Sequence, residues 1–425
     1  MRILLLALLI CANAYSQDIY LHCGKVLDSK NGVLLSEKTI IVSGSTIKSV
    51  ENGFIASRKK DDQIIDLRNK TVLPGFIDMH VHIENETSPD NYLKPFTLNE
   101  ADVAFNAADI ANRTLMAGFT TVRDLGGSGV NVALRNAIAK GKVSGPRIFT
   151  AEKAIATTGG HADPTNGRKK ELMGDPGPAE GVINSPEDAR KAVRQRYKNG
   201  ADCIKITATG GVLSVSKNGQ NAQFTQEEVN EIVKTAKEYG MHVAAHAHGI
   251  EGMQRAIKAG VLTIEHGSLM DIETAQLMKQ YGTYLVPTLS AGRYVSEKAK
   301  TPGYYPEIIL PKIKAVAAQL KETFAMVSKE GVNIGFGTDA GVFPHGENGK
   351  EFRYMVESGW SPMFALQSAT ITNAKLLDME NELGQLQSGF IADIVAVNDD
   401  PTKNIETLEN VVFVMKEGKV YKNTN

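Results

Sequence analysis

The stretch Gly75-Phe-Ile-Asp-Met-His-Val-His82 decides how this chain of 425 residues is interpreted. Side chains of a β-strand alternate between its two faces, so His80 and His82 point to the same side, roughly 6–7 Å apart along the strand. Two imidazoles at this spacing can bind one metal ion. The apolar residues around them form a near-continuous run, which is typical of a strand buried on both faces in a parallel sheet.

The middle of the chain, residues 74–383, alternates short apolar strands with helical segments. The predicted strands are 75–82, 119–125, 147–151, 203–209, 242–247, 262–266, 283–288 and 333–338. Helical periodicity is clear over 225–239, which Gly240 ends, and over 311–329. Eight strand–helix units in roughly 300 residues predict an α/β fold, specifically a (β/α)8 TIM barrel.

Both ends of the chain have a different pattern from the middle. Residues 18–73 alternate apolar and polar positions between turns, which predicts a small antiparallel sheet, and residues 384–425 have the same character. We expect the two segments to form one composite β-sandwich domain. Residues 159–186 are rich in Gly, Pro and Asp and too long for an ordinary connection, so we expect a loop over the site.

Residues 1–16 predict a secretory signal peptide. Arg2 gives a positively charged start, and residues 3–11 form an apolar run that is too short to span a bilayer. Small residues follow, and cleavage is expected before Tyr15 or before Gln17. We therefore expect a secreted or periplasmic protein.

The composition narrows the functional classes. A net charge of −1, with 42% hydrophobic and 22% charged residues, is that of an ordinary globular protein and offers no electrostatic argument for binding nucleic acid. Cleavage of the signal would remove Cys11, and the distant Cys23 and Cys203 form no disulfide framework. We expect both of them in the core.

Candidate metal ligands stand at the carboxyl ends of the predicted strands, where barrels of this kind hold their catalytic groups. Besides the first pair, they are Lys205, His246, His248, His266 and Asp339, and His161 stands at the head of the long loop 159–186. Nitrogen and oxygen donors gathered in this way suit a divalent cation such as zinc. Lys205 lies in an apolar strand, where a charged ammonium would be costly to bury. A neutral Lys205 could instead add carbon dioxide and form a carbamate that bridges two cations.

The ordered set of His-x-His, a lone lysine in the fourth strand, two histidines twenty residues apart and a final aspartate resembles the amidohydrolase superfamily. The resemblance covers essentially the whole chain after the signal segment. It is similar in particular to the imidazolonepropionase-like and Xaa-Pro dipeptidase branch, which also contains secreted carboxypeptidase-type and ochratoxin-hydrolysing amidases. The motifs are Gly159-Gly-His161, Ile204-Lys-Ile-Thr-Ala-Thr-Gly-Gly211, Ala244-Ala-His-Ala-His-Gly249 and Gly337-Thr-Asp-Ala-Gly341.

The resemblance implies two divalent metal ions, with Zn2+ expected, bridged by a carbon dioxide-derived carbamate on Lys205. The ligands that it implies are His80, His82 and Asp339 for the first ion, and His246 and His266 for the second. His246 is preferred to His248 because its twenty-residue spacing to His266 matches the family. The sequence leaves that choice open.

The resemblance also implies catalytic and substrate-binding roles. Asp339 would take a proton from the attacking water and pass it to the departing amine, and His161 would stabilise charge on the carbonyl oxygen. Substrate contacts are expected from His161, His248, Arg293 and His345. Selectivity for the leaving group would depend on residues 159–186, on 213–224 and on the neighbourhood of these side chains.

We therefore expect a binuclear metal-dependent hydrolase that cleaves the C-terminal amide bond of dipeptides or N-acyl amino acids, with ochratoxin-type amides included. A cyclic amidase such as imidazolonepropionase is the alternative, although such enzymes typically use fewer metals and lack the bridging lysine. A non-catalytic binding protein is the alternative of another class, and the complete ligand set argues against it. The expected partner is a small peptide or N-acyl amino acid substrate. We expect no binding of nucleic acid and no stable insertion into a membrane. The sequence leaves open whether the chain forms a homo-oligomer.

Overall fold

The computed structural model describes residues 17–216 and 218–424, so the predicted signal segment 1–16 lies outside the described residues. The strands are β1 Asp18–Asp28, β2 Val33–Ser43, β3 Thr46–Asn52, β4 Gln63–Pro74, β5 Phe76–Val81, β6 Phe119–Asp124, β7 Arg147–Thr150, β8 Ala156–Thr157, β9 Val182–Ile183, β10 Ile204–Thr207, β11 Val243–Ala247, β12 Thr263–His266, β13 Tyr284–Val286, β14 Ile394–Val397, β15 Phe413–Lys416 and β16 Lys419–Asn423.

The helices follow the strands through the middle of the chain. They are α1 Lys94–Thr97, α2 Glu100–Met116, α3 Val130–Ala139, α4 Lys170–Met173, α5 Pro186–Asn199, α6 Gln226–Glu238, α7 Ile250–Ala259, α8 Ile272–Tyr281, α9 Leu289–Lys298, α10 Leu310–Ala317, α11 Leu320–Glu330, α12 Lys350–Glu357, α13 Pro362–Gln367 and α14 Asn373–Leu376. A π-helical segment, Ser368–Thr372, and a 3-10 turn, Ile405–Glu409, complete the set.

Two parallel sheets carry the functional strands. One contains β5, β6 and β7 in that order, and the other contains β10, β11, β12 and β13. Every residue of β5, β10 and β11 is buried, as expected for strands covered on both faces. Because neighbouring strands run parallel, their carboxyl ends lie at the same edge of each sheet.

Single parallel pairings connect the edges of these two sheets. The pairs are Ile155 with Ile206, Leu285 with Ile334, and Val81 with Ala340. The first pair links the segment after β7 to β10. The other two pairs place the segment 333–340 between β13 and β5. The described chain therefore has an α/β fold in which single pairings connect the two parallel sheets at both of their edges.

The predicted eighth strand, 333–338, is not a regular strand in the structure. The Asn373 side chain takes up the hydrogen-bonding groups of Phe336, accepting from its N–H at 3.2 Å and donating to its carbonyl at 2.8 Å. Phe336 O also accepts from the N–H of Met79 on β5 at 3.0 Å. The segment thus keeps its position beside β5 with partial strand pairing.

Strands from both ends of the described chain form one seven-stranded sheet in the order β16-β15-β14-β4-β1-β2-β3. The prediction of a purely antiparallel sheet is wrong for β1 and β4, which pair in parallel. The reason is that the chain leaves β3 at one edge and crosses to the far side of β1. Leu21, Ile40, Ile394 and Phe413 belong to one buried cluster, so both ends share a core. The two-layer sandwich and the domain boundaries stay predictions.

The helix predicted over 225–239 is α6. Thr225 and Glu228 form a capping box, in which each side chain accepts a hydrogen bond from the backbone of the other. The helix predicted over 311–329 is divided into α10 and α11. Between them the N–H of Gln319 bonds to the carbonyl of Val316, three residues back, which tightens the last turn of α10.

Four fully buried phenylalanines pack together at the start of β5 and β6. They are Phe76, Phe119, Phe336 and Phe352. Phe336 lies 5.8 Å from Phe119 and 4.3 Å from Phe352 between ring centroids, distances at which aromatic pairs stabilise a core. Cys23 and Cys203 are buried, as predicted, and both thiols are free. Within the described residues, no helix combines the length and apolar character that crossing a bilayer requires.

Candidate active site

A cavity of about 190 Å³ lies at the carboxyl ends of the parallel strands. It brings together eight of the ten side chains that the sequence predicted for the site. They are His80, His82, His161, Lys205, His246, His248, His266 and Asp339. Residues that are up to 259 positions apart in the chain therefore face one space.

Three of these side chains converge closely enough to share one metal ion. Donor atoms of His80, His266 and Asp339 all lie within 4.8 Å of one another. Asp339 Oδ1 is 3.5 Å from His80 Nε2 and 3.4 Å from His82 Nε2. This oxygen is buried and accepts no hydrogen bond from the described residues. A buried carboxylate oxygen that faces two imidazole nitrogens and lacks a donor fits a divalent cation.

Five of the cavity histidines are held in the neutral form by burial. Burial lowers the pKa of His80, His246 and His266 well below the ordinary value, and lowers the pKa of His161 to about 3 and of His248 to about 4. The cause is that a charged imidazolium loses its hydration when it is buried. Neutral imidazole is the form that binds metals, because its second nitrogen then has a free lone pair.

Lys205 projects from β10 into the same space. Its Nζ lies 3.3 Å from His80 Nε2, and the side chain is buried. Burial lowers the pKa of Lys205 to about 8, so an appreciable fraction of the amine is unprotonated near neutral pH. A neutral amine among metal-binding groups can add carbon dioxide, whereas an ammonium ion cannot.

Four of the cavity histidines are anchored through Nδ1, which leaves Nε2 for the cavity. The partners are Glu265 Oε2 for His80 at 2.8 Å, Gly126 O for His82 at 2.8 Å, Ser268 Oγ for His248 at 2.9 Å and Thr288 Oγ1 for His266 at 2.7 Å. Such contacts fix the tautomer and the ring orientation of metal-binding histidines. His246 differs, since its Nε2 lies 3.2 Å from Gly210 O and its ring stacks on His161 at 4.4 Å. The choice of His246 over His248 as a ligand stays a prediction.

Backbone strain is concentrated at the site. Asp339 has a φ of 59°, His266 of 72° and Thr288 of 50°, all in the left-handed region that non-glycine residues rarely adopt. Asp78 holds the segment before Asp339, since its carboxylate accepts from the N–H of Thr338 at 3.1 Å and from the hydroxyl at 2.7 Å. The surrounding structure therefore maintains a conformation that aims the Asp339 carboxylate into the cavity.

The two remaining predicted residues lie outside the cavity. His345 points to the rear of the site, with Nδ1 2.7 Å from Thr114 Oγ1 and Nε2 3.2 Å from His82 O. Arg293 forms an ion pair with Glu357 at 2.6 Å, and both side chains are exposed. Arg293 Nη2 and both ring nitrogens of His345 have partners within the chain, and the substrate contacts expected of these two residues stay predictions.

The outer wall of the cavity is apolar. Its residues come from α9, α10, α11 and the loop after β10, and include Val212, Leu213, Val295, Ile313, Val316 and Leu320. Among the described lining residues, the only acidic or basic side chains besides the histidines are Lys205 and Asp339. The site therefore has a polar base, built from histidines, lysine and aspartate, beneath an apolar opening that suits an uncharged substituent.

Residues 71–421 match the Amidohydrolase family, which is more than four-fifths of the chain. The chain belongs to this family. It is 31% identical over 410 residues to an ochratoxinase from Aspergillus niger, which covers 92% of this chain and 82% of that protein. The resemblance predicted from the motifs is confirmed, and this amidohydrolase is an amide-bond hydrolase. The alternative of a non-catalytic binding protein is wrong.

Solved structures agree in fold along nearly the whole chain. A Xaa-Pro dipeptidase with methionine bound in its active site is 52% identical, with a TM-score of 0.93, and covers 96% of this chain and 100% of that chain. A prolidase complexed with N-methylphosphonate-L-proline is 32% identical, with a TM-score of 0.87. The match covers 96% of this chain and 100% of that chain. Relatives of this kind and the modest cavity indicate that the amidohydrolase acts on a small substrate.

Sequence reasoning missed several residues that support the site of this amidohydrolase. Glu265 and Arg123 are fully buried in strands whose residues are all buried, and Thr288 and Ser268 contact the rings of two histidines. A charged residue within an apolar strand was the signal that identified Lys205. That signal is weak for Arg123 and Glu265, because β6 and β12 contain other polar residues, among them threonines.

Proposed function

We propose that this amidohydrolase is a binuclear metal-dependent enzyme that cleaves the C-terminal amide bond of dipeptides or N-acyl amino acids. The observation that carries the proposal is that donors assigned to both ions, His80 and Asp339 for one and His266 for the other, lie within 4.8 Å of one another at the base of an apolar-walled cavity. The likeness to a dipeptidase with bound methionine and to a prolidase with a proline phosphonate supports an amino acid as the product that leaves.

Two Zn2+ ions would bind at the base of the cavity. The proposed ligands are His80, His82 and Asp339 for one ion, His246 and His266 for the other, and carboxylated Lys205 between them. When bound, such cations supply Lewis acidity, which lowers the pKa of a water molecule and polarises an amide carbonyl. The neutral histidines and the unpartnered Asp339 oxygen support this assignment.

The carbamate forms from the unprotonated Lys205 amine and carbon dioxide. A nitrogen–carbon bond forms and one proton is released, so a neutral side chain becomes an anion. Burial of the amine, which lowers its pKa to about 8, and the 3.3 Å distance from Nζ to His80 Nε2 support this step. An anionic bridge would also compensate the charge of two cations in a buried site.

Asp339 is the proposed proton carrier. Its carboxylate accepts a proton from the attacking water and delivers it to the amide nitrogen as the carbon–nitrogen bond breaks. His161 is the proposed donor to the carbonyl oxygen, on which negative charge develops. Its Nδ1 is buried without a partner among the described residues, and its ring packs against Gly211, where a Cβ would lie 2.1 Å from the ring. This contact fixes the ring beside the proposed reaction centre.

The proposal includes the architecture and the location of the enzyme. Residues 74–383 would form a closed (β/α)8 barrel, which the pairings between the two parallel sheets support. Residues 18–73 and 384–425 would form the composite β-domain. Export to the periplasm or beyond is proposed from the composition of residues 1–16 alone.

The experiment is a substrate screen with zinc-loaded protein. A library of dipeptides and N-acyl amino acids, varied at the C-terminal residue, is compared with imidazolonepropionate under the same conditions. We expect release of a free C-terminal amino acid. Turnover of the cyclic amide without turnover of any linear amide would refute the proposed substrate class.

A further inference from the structure

A buried pair of opposite charges lies behind the cavity. Arg123 of β6 and Glu265 of β12 are both fully buried, and Arg123 Nη2 is 2.9 Å from Glu265 Oε1. Neither side chain is among the described residues that line the cavity. Removing two charges from water is costly, and such a pair by itself is weak evidence for stability. Because stability alone does not explain the pair, its role is inferred from the groups that Arg123 and Glu265 contact.

One carboxylate oxygen of Glu265 contacts Arg123, and the other contacts His80. Oε1 accepts from Arg123 and from the hydroxyl of Thr263, while Oε2 lies 2.8 Å from His80 Nδ1. Beside a guanidinium, Glu265 is a carboxylate and can only accept hydrogen bonds. His80 Nδ1 must then carry the hydrogen. The lone pair of His80 is consequently on Nε2, which faces Lys205 Nζ at 3.3 Å.

Arg123 holds both the carboxylate and the strand that bears the histidine. Its Nε donates to the carbonyl of Met79, the residue before His80, at 2.7 Å. Its Nη1 lies 3.4 Å from Nε2 of His242, whose pKa burial lowers to about 3. Among the described residues, Glu265 is the acidic side chain that pairs with Arg123. One guanidinium thus fixes the backbone of β5 and the partner of the His80 ring.

We propose that Arg123 and Glu265 are positioning residues that hold His80 as the Nδ1–H tautomer, with Nε2 aimed into the cavity, before any metal binds. The tautomer depends only on the contacts just described. Its consequence for metal affinity rests on the proposed function. Loss of such partners of a ligating histidine typically weakens metal binding on the order of 10–100-fold.

The test compares two double variants that change charge in the same way. Arg123→Met with Glu265→Gln removes both charges, so neither charge is left buried without the other, a change that buried ion pairs often tolerate. The glutamine amide can either accept from His80 Nδ1 or donate to it, so it no longer fixes the tautomer. The matched control is Arg196→Met with Glu152→Gln, a second buried pair at 2.9 Å whose carboxylate makes no hydrogen bond to a cavity histidine among the described residues.

The first measurement is the 15N spectrum of metal-free protein labelled at histidine. The His80 signals are assigned by their absence in His80→Gln. We expect wild-type His80 to be protonated at Nδ1 and not at Nε2, with the same pattern in the control. The Arg123→Met, Glu265→Gln variant should show a mixture of the two tautomers. A solely structural role would change the melting temperature without changing this pattern.

The second measurement is zinc affinity by competition with a chelator. It should fall on the order of 10–100-fold in the Arg123→Met, Glu265→Gln variant and stay unchanged in the control. Wild-type His80 protonated at Nε2 would overturn the inference, even if the variant does not fold. Unchanged zinc affinity in a folded variant would also overturn it. Wild-type protein that binds no zinc would instead refute the proposed function. The 15N spectrum of metal-free protein would still show whether Arg123 and Glu265 hold His80 as the Nδ1–H tautomer.

Discussion

Replacement of Asp339 by asparagine separates proton transfer from metal binding. Asparagine has the shape of aspartate and retains Oδ1, the atom that lies 3.5 Å from His80 Nε2 and 3.4 Å from His82 Nε2. It also tolerates the left-handed backbone at this position, where φ is 59°, better than other residues do. The backbone and the neighbouring rings should therefore stay in place. What disappears is the anionic oxygen that accepts and returns a proton.

The expected loss follows from that role. Positioned acid–base catalysis contributes on the order of 10²–10⁴ in rate, or about 2.7–5.4 kcal/mol of transition-state stabilisation. Asp339→Asn should therefore lower kcat by this factor. Most of the bound metal should remain, because the proposed histidine ligands and Lys205 are unchanged.

The assay measures metal content and turnover on the same sample. Asp124→Asn is the control, since Asp124 is fully buried and bonds to Asn131 and Thr150, each at 2.7 Å, away from the cavity. Asp124→Asn should lower the melting temperature and change turnover little. If Asp339→Asn keeps more than about a tenth of wild-type turnover, the loss is smaller than removal of a positioned acid–base would cause. The proton then moves through another group, and the reasoning is wrong. His161 would then be examined first.

Three further predictions test other parts of the account. Lys205→Ala should lose bound metal and activity, with partial recovery when short carboxylic acids are added, and a fully metallated, active variant would exclude the carbamate. Phe336→Ala should lower the free energy of unfolding by about 3–5 kcal/mol in denaturant titrations, because its fully buried ring leaves a cavity between two others. Protein purified from its native host should begin at Tyr15 or Gln17 by intact mass, and retention of Met1 would contradict export.

The sequence alone predicted the inner face of the site well. The period of two in a strand placed His80 and His82 on one face, and the carboxyl ends of parallel strands placed His246 and His266 beside them. Both inferences depend on backbone geometry that is the same in every parallel sheet. Lys205 was identified for an energetic reason, since a lone charge in an apolar strand needs a use.

The outer part of the site could not be predicted in the same way. Arg293 lies in α9 and His345 in a loop, so the strand period that placed the histidines gives the direction of neither side chain. Arg293 pairs with Glu357, and His345 bonds to Thr114, contacts between residues far apart in sequence. The parallel pairing of β1 and β4 was missed for a similar reason, because the path of the connection decides it.

The most direct test of the account is the metal content of the purified, unmodified enzyme, measured together with its hydrolysis of N-acyl amino acids. We predict two zinc ions per chain, loss of activity when a chelator removes them, and recovery when zinc and bicarbonate are restored. Full hydrolytic activity in protein that holds no metal would contradict the central claim. A single ion per chain at full activity would contradict the binuclear site and the bridging role of Lys205.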